Sequence, residues 1–495
     1  MSDPAQTAYD SVVYPGYAYP QTHPDQLATY AHLCGLDPPP VETCRVLEVG
    51  CGDAANLLAM AVALPRATFH GFDLASSSIE RGRSLARELG LANLTLEHLD
   101  IDEAAGRMGE FDYVIAHGFY SWVPQCARDK LMALCRASLA PQGVAFISYN
   151  TLPGGHIRRM IREMMLFHVN RAPDPETKTS QARALLGFLS KFPSGDDEYR
   201  LILKKELEQV LKYRTASLYH DDLAPIFDCF YLHEFVAHAG AYDLQFLADM
   251  NSTFFDFEGL DAETARALSG LEANPVIREQ YLDFARCRRF RQTLLCHSGL
   301  PVVRQVAPAR LEGLLMSTAA AAAGLSDADI RSEEEVVFRG PQNSSLKTAN
   351  PMMKAALVAL GSAWPERLSL NEVREQVAAR LELLLSSVPA ELLAKGFMSA
   401  FSMRMVGLHA YMPRLTRCPG DQPRTNPLIR LQAGRGEVLS NLVHNAIKVE
   451  GQGERLLSLL DGRRTRADLA AELNASLADI AEGLAKLARL ALIEA

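Results

Sequence analysis

The chain of 495 residues has no excess of basic charge and no long apolar run. Lys and Arg number 50 against 59 Asp and Glu, which gives a formal net charge of −9. This acidic balance argues against nucleic acid or an anionic membrane as the main partner. No segment approaches the roughly 18 consecutive apolar residues of a membrane-spanning helix, and residues 1–25 lack a signal-peptide pattern. These absences predict a soluble, cytoplasmic protein.

Cysteine is present without a recognisable framework. The nine cysteines are odd in number and scattered, and no C-x-x-C spacing occurs. The nearest approach to a metal-ligand pattern is Cys287, Cys296 and His297 on one segment. Structural thiols in a reducing compartment are therefore predicted in preference to a zinc site, and no metal is expected.

Strands and helices alternate from residue 44 to about residue 150. Helical patterns separate five strand patterns, which are CRVLEVG, ATFHGFDL, LTLEHLDI, FDYVIAHG and GVAFISYN. This alternation predicts a Rossmann-like α/β fold, in which helices cover both faces of a parallel sheet. At roughly 150 residues per domain, the length predicts about three domains. The first of them begins with residues 1–155.

Helical periodicity dominates after residue 155. The segment IRRMIREMMLFHV keeps three arginines, Arg158, Arg159 and Arg162, away from an apolar stripe of Ile157, Met160, Ile161, Met164 and Met165. Residues 156–220 are therefore predicted to form a helical insertion whose stripe packs in a core or against a partner helix. HEFVAHAGAYDLQFLADMN and RRFRQTLLCHSG predict that the first domain resumes over residues 221–300.

The remaining sequence has a different character. Residues 301–413 predict a mixed α/β middle domain without an assigned function. Residues 414–495 predict a winged-helix-like C-terminal domain with three helices and a final strand in LALIEA. This domain has 12 Lys and Arg against 10 Asp and Glu, and Asp479 and Glu482 lie near the start of its third helix. DNA binding would need a basic face there, so protein interaction or packing is predicted instead.

The stretch VLEVGCGDAANL, residues 46–57, places a glycine turn between a strand and a helix. Dinucleotide enzymes and methyltransferases both use such a turn, because it lets the backbone approach a ligand. Glu48 distinguishes them, since its carboxylate would repel a pyrophosphate but attract the cationic groups of S-adenosylmethionine. Asp73 and Asp100 end the next two strands, where they can accept hydrogen bonds from the ribose hydroxyls and the adenine amine. Together they predict S-adenosylmethionine as the cofactor, with S-adenosylhomocysteine as its product.

The predicted cofactor-binding residues come from the N-terminal segment, the glycine turn and the ends of three strands. They are Tyr14, Tyr19, Thr22, Glu48, Gly50, Cys51, Gly52, Asn56, Asp73, Leu74, Asp100, Ile101 and His117. The segment YPQTHP, residues 19–24, is expected to fold over the cofactor as a lid, with His23 as a further contact. A Pro-rich cover with only a structural role is the alternative.

The order VLEVGCGDAANL, GFDL, LDI and FDYVIAHG resembles class I S-adenosylmethionine-dependent methyltransferases. The resemblance is closer to members with a methyltransferase regulatory domain, which include the rickettsial outer-membrane-protein lysine methyltransferases. It rests on YPQTHP, HGFYSWVP, SYNTLPGG, YHDDLAPIF, HEFVAHAGAYDLQFLADM and DFARCRRFRQTLLCH, and less specifically on NPLIRLQAGRGEVLSNLVHN and LLSLLDGRRTRADLAAEL. It implies lysine N-methylation of a protein substrate and a homodimer formed through the insertion. Ala54 and Ala55 depart from the glycine-rich pattern but are small enough to keep backbone access.

The aromatic stretch HGFYSWVP follows the fourth strand, above the expected position of the sulfonium. Burial beside aromatic rings lowers the pKa of a lysine amine, and the rings favour a cationic product. The predicted catalytic residues are His117, Tyr120, Trp122, Tyr149 and Asn150, with plain packing between domains as the alternative. The [ND]-P-P-[YFW] tetrapeptide of base and amide methyltransferases is absent. A small-molecule acceptor, or a regulatory protein that binds the cofactor without turnover, are the competing hypotheses.

Overall fold

The computed structural model describes residues 14, 16–191, 198–250, 262–271 and 274–495. Residues 1–13 and Pro15, which belong to the predicted lid region 1–25, lie outside the described residues. All nine cysteines are free thiols. Within the described ranges, no group of three or more His, Cys, Asp and Glu side chains is placed to hold a metal ion. No helix among those residues is long and apolar enough to cross a bilayer.

The first 300 residues contain one eight-stranded sheet. Its strands are β1 (Arg45–Val49), β2 (Thr68–Asp73), β3 (Leu94–His98), β4 (Phe111–Ala116), β5 (Leu139–Thr151), β6 (Cys229–Phe230), β7 (Leu244–Asp249) and β8 (Phe290–His297). The order is β3-β2-β1-β4-β5-β8-β7, and β6 pairs with β5. Strands β1 to β5 run parallel, whereas β8 runs antiparallel to both β5 and β7. The predicted Rossmann-like α/β sheet is confirmed.

Helices cover both faces of this sheet. They are α1 (Pro24–Leu33), α2 (Ala55–Ala63), α3 (Ser76–Glu88), α4 (Ile101–Ala104) and α5 (Gln125–Ser138). Neighbouring residues of β1 point to opposite faces, so Val46 packs with α1 and α2 in one core while Leu47 packs with α5 in the other. Burial on both faces explains why the strands read as nearly continuous apolar runs.

The segment that follows is helical, as predicted. It contains α6 (Gly155–Val169), α7 (Pro175–Leu189), α8 (Glu198–Val210), α9 (Thr215–Ser217) and a π-helical turn at Leu218–Asp222. Ile161 and Met165 of the predicted stripe are buried in the core of these helices. Arg162 was expected away from the stripe but is also buried. Its guanidinium is satisfied there, since it donates to the carbonyls of Asp222 and Ala224.

The chain then returns to the sheet through α10 (Leu232–Gly240), α11 (Ala262–Ser269) and α12 (Pro275–Arg286). A buried ion-pair cluster fastens α12 to the sheet. The Arg291 guanidinium of β8 pairs with Asp249 of β7 at 3.0 Å and with Glu279 and Asp283 of α12 at 3.2 and 2.8 Å. Removing one carboxylate would leave a buried positive charge with fewer partners, so we interpret this cluster as structural.

The middle segment carries α13 (Asp327–Arg331), α14 (Pro351–Ala363), α15 (Leu370–Leu381) and α16 (Ala390–Ser402). A small antiparallel sheet with the order β12-β9-β13 accompanies them, formed by β9 (Leu315–Ser317), β12 (Leu368–Ser369) and β13 (Gly407–His409). A hairpin of β10 (Val336–Arg339) and β11 (Ser345–Thr348) lies beside them in sequence. Helices and short strands mix here as predicted, whereas the five-part division of the chain stays a prediction.

The C-terminal segment contains α17 (Pro427–Arg435), β14 (Leu439–Ser440), β15 (Ala446–Ile447), α18 (Gln452–Leu459), α19 (Arg466–Leu473) and α20 (Leu477–Arg489). The three helices at the end of the chain were predicted. The final strand predicted in LALIEA is wrong: the chain turns at Ala491, and only Glu494 bridges to Arg424. The two-stranded sheet is instead the β14–β15 hairpin, earlier in the sequence.

Candidate active site

The site begins where the strand order reverses between β1 and β4. Open parallel sheets bind ligands at the carboxyl ends of the strands beside such a reversal. Glu48 is the second-last residue of β1, and the glycine turn begins after Val49. Asp73 ends β2, Asp100 follows β3, and His117 follows β4. The fold therefore gathers the predicted cofactor residues along one edge of the sheet.

The glycine turn has backbone geometry that only small residues accept easily. Gly50 and Gly52 have φ angles of +69° and +57°, and a Cβ on Gly50 would also collide with the Phe119 ring. Ala54, where the family often has a third glycine, also has a positive φ of 59°. Left-handed backbone costs an alanine about 1 kcal/mol, and its fully buried methyl group packs in the core below. The departure from glycine is therefore accommodated.

Glu48 is a buried carboxylate whose two oxygens have different surroundings. Its Oε1 accepts a hydrogen bond of 2.9 Å from the Asn56 amide. Its Oε2 is buried and has no hydrogen-bond partner among the described residues. Burial raises the pKa of Glu48 to about 8. A buried acceptor without a donor is costly unless a ligand supplies one, and the ammonium group of S-adenosylmethionine fits this requirement.

Asp73 holds the glycine turn to β2. Its Oδ2 accepts from the backbone N–H of Gly52 and its Oδ1 from that of Ala75, both at 2.8 Å. These bonds fix the Asp73 carboxylate at the end of β2, on the edge of the sheet where the ribose hydroxyls are predicted to bind. The adjacent Leu74 is 52% exposed, which leaves an apolar surface beside the proposed ribose position.

Asp100 lies at the end of the neighbouring strand. Its side chain caps α4 by accepting from the N–H of Asp102 at 2.9 Å, and Ile101 beside it is buried. β2 and β3 are neighbouring parallel strands, so Asp73 and Asp100 lie at the same edge of the sheet. The structure thus places these two residues as the proposed adenosine site requires.

The N-terminal segment covers the glycine turn. Gly16 lies so close to Asp53 and Ala55 that a Cβ would collide with their side chains. The Tyr19 N–H donates to Oδ1 of Asn56 at 3.1 Å, and the buried Thr22 hydroxyl also contacts the Asn56 amide. The Tyr19 ring packs edge-on against His117, with their centroids 4.2 Å apart. We call residues 16–24 the lid segment.

Not every predicted lid contact faces the glycine turn. The Nδ1 atom of His23 accepts from the N–H of Asp25 and so caps α1. Its ring packs against His444, with the ring centroids 5.0 Å apart, and against Tyr411. The proposed contact between His23 and the cofactor therefore finds no support in this geometry. Tyr14 points toward the π-helical turn, where its hydroxyl lies 3.5 Å from Oδ2 of Asp221.

The predicted catalytic residues lie in two settings. His117 and Asn150 are close to the strand ends: His117 Nδ1 lies 3.0 Å from the Ser148 hydroxyl, and the buried amide nitrogen of Asn150 has no partner among the described residues. Burial lowers the pKa of His117 to about 4, so its imidazole is neutral at physiological pH. Trp122 is half-buried against Phe227, at 5.5 Å between ring centroids.

Tyr120 and Tyr149 are enclosed instead. The Tyr120 hydroxyl lies 2.7 Å from Nδ1 of His238, and only 2% of the residue is exposed. The Tyr149 hydroxyl lies 3.1 Å from the Thr293 hydroxyl, and its ring stacks on Phe235 at 4.2 Å. Aromatic packing of this kind favours the alternative stated for these residues, a structural role.

Two residues at the site were missed from the sequence. Asp221 lies in the π-helical turn, where burial raises the pKa of its carboxyl to about 7. The adjacent Asp222 differs, because its carboxylate forms two hydrogen bonds of 2.6 and 2.7 Å with Arg158. The signal for Asp221 was the segment YHDDLAPIF, which carried the family resemblance without an assigned role. His444, which contacts Asn56 from the C-terminal segment, lies in NPLIRLQAGRGEVLSNLVHN, which carried the resemblance less specifically and had no assigned role.

Comparisons with known proteins agree with the fold and with the enzyme class that this site indicates. Family descriptions match residues 46–143 as a methyltransferase domain, 214–297 as a predicted methyltransferase regulatory domain and 421–488 as the C-terminal winged helix domain of PKMT. The chain is 33% identical to the protein RP789 of Rickettsia prowazekii over 474 residues, which cover 92% of this chain and 84% of that protein. It is also similar to the solved structure of PKMT2 from Rickettsia typhi, with 28% identity and a TM-score of 0.88.

The likeness to PKMT2 covers 97% of this chain and 99% of the rickettsial chain. A second structure of PKMT2, in complex with AdoHcy, matches with 27% identity, the same coverage and the same TM-score. The sheet, the glycine turn and the buried Glu48 carboxylate define an S-adenosylmethionine-dependent methyltransferase of class I. Within that class, the chain belongs to the family with a methyltransferase regulatory domain, together with RP789 and PKMT2 of Rickettsia.

Proposed function

We propose that this enzyme N-methylates lysine side chains of a protein substrate. The observation that carries the proposal is the likeness to PKMT2, which extends over 97% of the chain and thus beyond the methyltransferase sheet. Because the likeness covers nearly all of both chains, the rickettsial protein has the same order of segments. A methyltransferase domain alone would leave the acceptor undetermined, because one fold supports many substrates.

The chemistry requires a neutral amine. S-adenosylmethionine, when bound, supplies an electrophilic methyl group and becomes S-adenosylhomocysteine. A lysine with a pKa near 10.4 must lose a proton first, which costs about 4.6 kcal/mol at pH 7. The protein must therefore provide a place for that proton near the acceptor nitrogen.

Asp221 fits this requirement. Its carboxyl group is partly buried in the π-helical turn and lies beside the Tyr14 hydroxyl. Its negative charge acts on Tyr19, which packs against His117 at the end of β4. Because burial raises the pKa of Asp221 to about 7, the ionised carboxylate is able to take a proton at physiological pH. We therefore assign Asp221 as the group that accepts the lysine proton.

Aromatic side chains surround this side of the site. Tyr14 and Tyr19 come from the N-terminal segment, and Trp122 packs against Phe227, which lies shortly after the π-helical turn. Such rings lower the pKa of a buried lysine and attract the methylated cation. Of the two aromatic residues predicted for catalysis in HGFYSWVP, Trp122 is half-buried whereas Tyr120 is enclosed, so we retain Trp122 as part of the acceptor site.

The test is methyl transfer from labelled S-adenosylmethionine to soluble and surface protein fractions, analysed by gel and mass spectrometry. Label on lysines of discrete protein bands is expected, and the Asp73→Ala variant, with its weakened cofactor binding, serves as the control that should label less. Label on other residue types would contradict the lysine assignment. Label confined to small molecules would replace it with a metabolite methyltransferase.

A homodimer formed through α6, α7 and α8 is a second part of the proposal. Phe167 of α6 is 82% exposed, and Leu201 and Ile202 of α8 are also exposed. Large apolar side chains grouped on one helical unit are typical of protein interfaces. Light scattering should show a dimer for the intact chain and a monomer for Phe167→Glu. A wild-type monomer would contradict this part alone.

A further inference from the structure

The C-terminal segment reaches the cofactor site through the turn of its β14–β15 hairpin. Leu439 pairs with Ile447 and Ser440 with Ala446, so residues 441–445 form a tight loop. The Asn441 side chain accepts from the N–H groups of Val443 and Asn445 at 3.2 and 2.8 Å. His444 is held with a φ of 61° and is buried, whereas its neighbour Asn445 is exposed.

The buried end of His444 contacts the helix that follows the glycine turn. Its Nε2 atom lies 2.8 Å from Oδ1 of Asn56, across 388 positions of sequence. Both residues are only 4% exposed. Water therefore competes little for this hydrogen bond, and a lost partner would leave a buried polar group unsatisfied.

The polarity of this bond follows from the other partners of Asn56. The backbone N–H of Tyr19 can only donate, and it points at Oδ1. The opposite end of the amide donates to Oε1 of Glu48. The amide orientation is thereby determined, so Nε2 of His444 must carry the hydrogen. Burial lowers the pKa of His444 well below its usual value, which keeps the ring neutral.

Other contacts hold the hairpin in this position. Leu428 of α17 packs with Ala18 of the lid segment and Ala59 of α2. The Arg435 guanidinium donates to both carboxylate oxygens of Glu88 in α3, at 2.8 and 2.7 Å. The C-terminal segment is thus fixed to both the lid segment and the methyltransferase helices.

We propose that His444 is a positioning residue of the cofactor site, acting through Asn56 on Glu48 and the lid segment. The His444 N–H holds Oδ1 of Asn56, so that the Asn56 amide directs Oε1 of Glu48 and leaves Oε2 for the cofactor ammonium. The same Oδ1 accepts from the N–H of Tyr19, so the lid segment is linked to the hydrogen bond between His444 and Asn56. The C-terminal segment then completes the cofactor site, independently of the acceptor that the enzyme methylates.

The test compares His444→Asn with His444→Gln in the full chain. Asparagine tolerates a positive φ but is too short to reach Asn56, whereas the glutamine amide nitrogen can occupy nearly the same place as Nε2. Isothermal calorimetry with S-adenosylhomocysteine should show a roughly two- to tenfold weaker affinity for His444→Asn, in keeping with the loss of one buried hydrogen bond. His444→Gln should restore most of the affinity. Asn445→Ala, on the exposed neighbour, should bind as the wild type does.

A double-mutant cycle separates positioning from packing. In an Asn56→Ala background, His444→Asn should cause no further loss of affinity, because the residue through which His444 acts is gone. Circular dichroism and thermal unfolding check that each variant is folded. Wild-type affinity in His444→Asn, equal losses in both His444 variants, or additive losses in the cycle would each overturn the proposal.

Discussion

The cofactor half of the site and the acceptor half that we propose are built differently. The cofactor half comes from consecutive strand ends between Glu48 and Ile101, each connected to the next by one helix. The acceptor half combines separate segments: the lid, the turn after β4 and the π-helical turn at Leu218–Asp222. A Tyr14–Asp221 contact joins residues 207 positions apart.

This difference separates binding from chemistry. The cofactor half is anchored by backbone hydrogen bonds, as between Asp73 and Gly52, which any class I enzyme with this turn can form. The acceptor half depends on how the lid and the inserted helices pack, so it is free to change with the substrate. Substitutions in the two halves should therefore affect cofactor affinity and turnover separately.

The largest effect is expected for Asp221→Asn. If Asp221 takes the lysine proton, its amide variant should lower kcat by about a hundredfold, a typical loss for a general base. The affinity for S-adenosylmethionine should stay within about twofold of the wild type, because Asp221 belongs to the other half. Single-turnover kinetics on the acceptor protein found by methyl labelling, with calorimetry, measures both.

Two results for Asp221→Asn would contradict this separation of cofactor binding from turnover. Unchanged turnover would remove Asp221 from the reaction, and the lysine proton would have to leave through water. Equal losses of turnover and cofactor affinity would instead place Asp221 in the cofactor pocket. Thermal unfolding is the control, since the neighbouring Asp222 is part of a buried ion pair with Arg158.

Asp73→Ala is expected to weaken cofactor affinity by at least about tenfold. The variant loses the acceptor proposed for the ribose hydroxyls, the bond that holds the glycine turn at Gly52 and the bond to the N–H of Ala75. Calorimetry with S-adenosylhomocysteine measures the affinity. Unchanged binding would contradict the assignment of this edge of the sheet as the adenosine site.

The ease of prediction also differed between the two halves. Glu48, Asp73 and Asp100 could be proposed from sequence because a parallel sheet brings successive strand ends to one edge. Asp221 and His444 lie in segments that carried the family resemblance, but they received no role, because their contacts span 207 and 388 positions and no local pattern encodes such contacts. Tyr120 and Tyr149 were proposed for catalysis since they follow strands, yet the burial that encloses them comes from Phe235 of α10.

Glu48 predicts a pH dependence that belongs to the cofactor half. Its pKa is raised to about 8 without the cofactor, and a bound ammonium group favours the ionised carboxylate and lowers that pKa. Binding then releases a proton below about pH 8, so affinity should increase from about pH 6 to pH 7.5, by up to tenfold per unit. Calorimetry at several pH values measures the slope, and Glu48→Gln should abolish it. A slope that persists in Glu48→Gln would assign the proton to another group.

The smallest effect on turnover is expected for Tyr120→Phe. The change removes the hydroxyl that bonds His238 but keeps the ring among Phe230 and Phe235. His238 also contacts Asp129 through Nε2, so its Nδ1 atom alone loses a partner. Stability should fall by about 1 kcal/mol in chemical denaturation, the usual net worth of one hydrogen bond. Turnover should stay within about twofold, because the hydroxyl bonds to His238 and takes no part in the proposed proton transfer. A large loss of turnover at unchanged stability would return Tyr120 to the acceptor half.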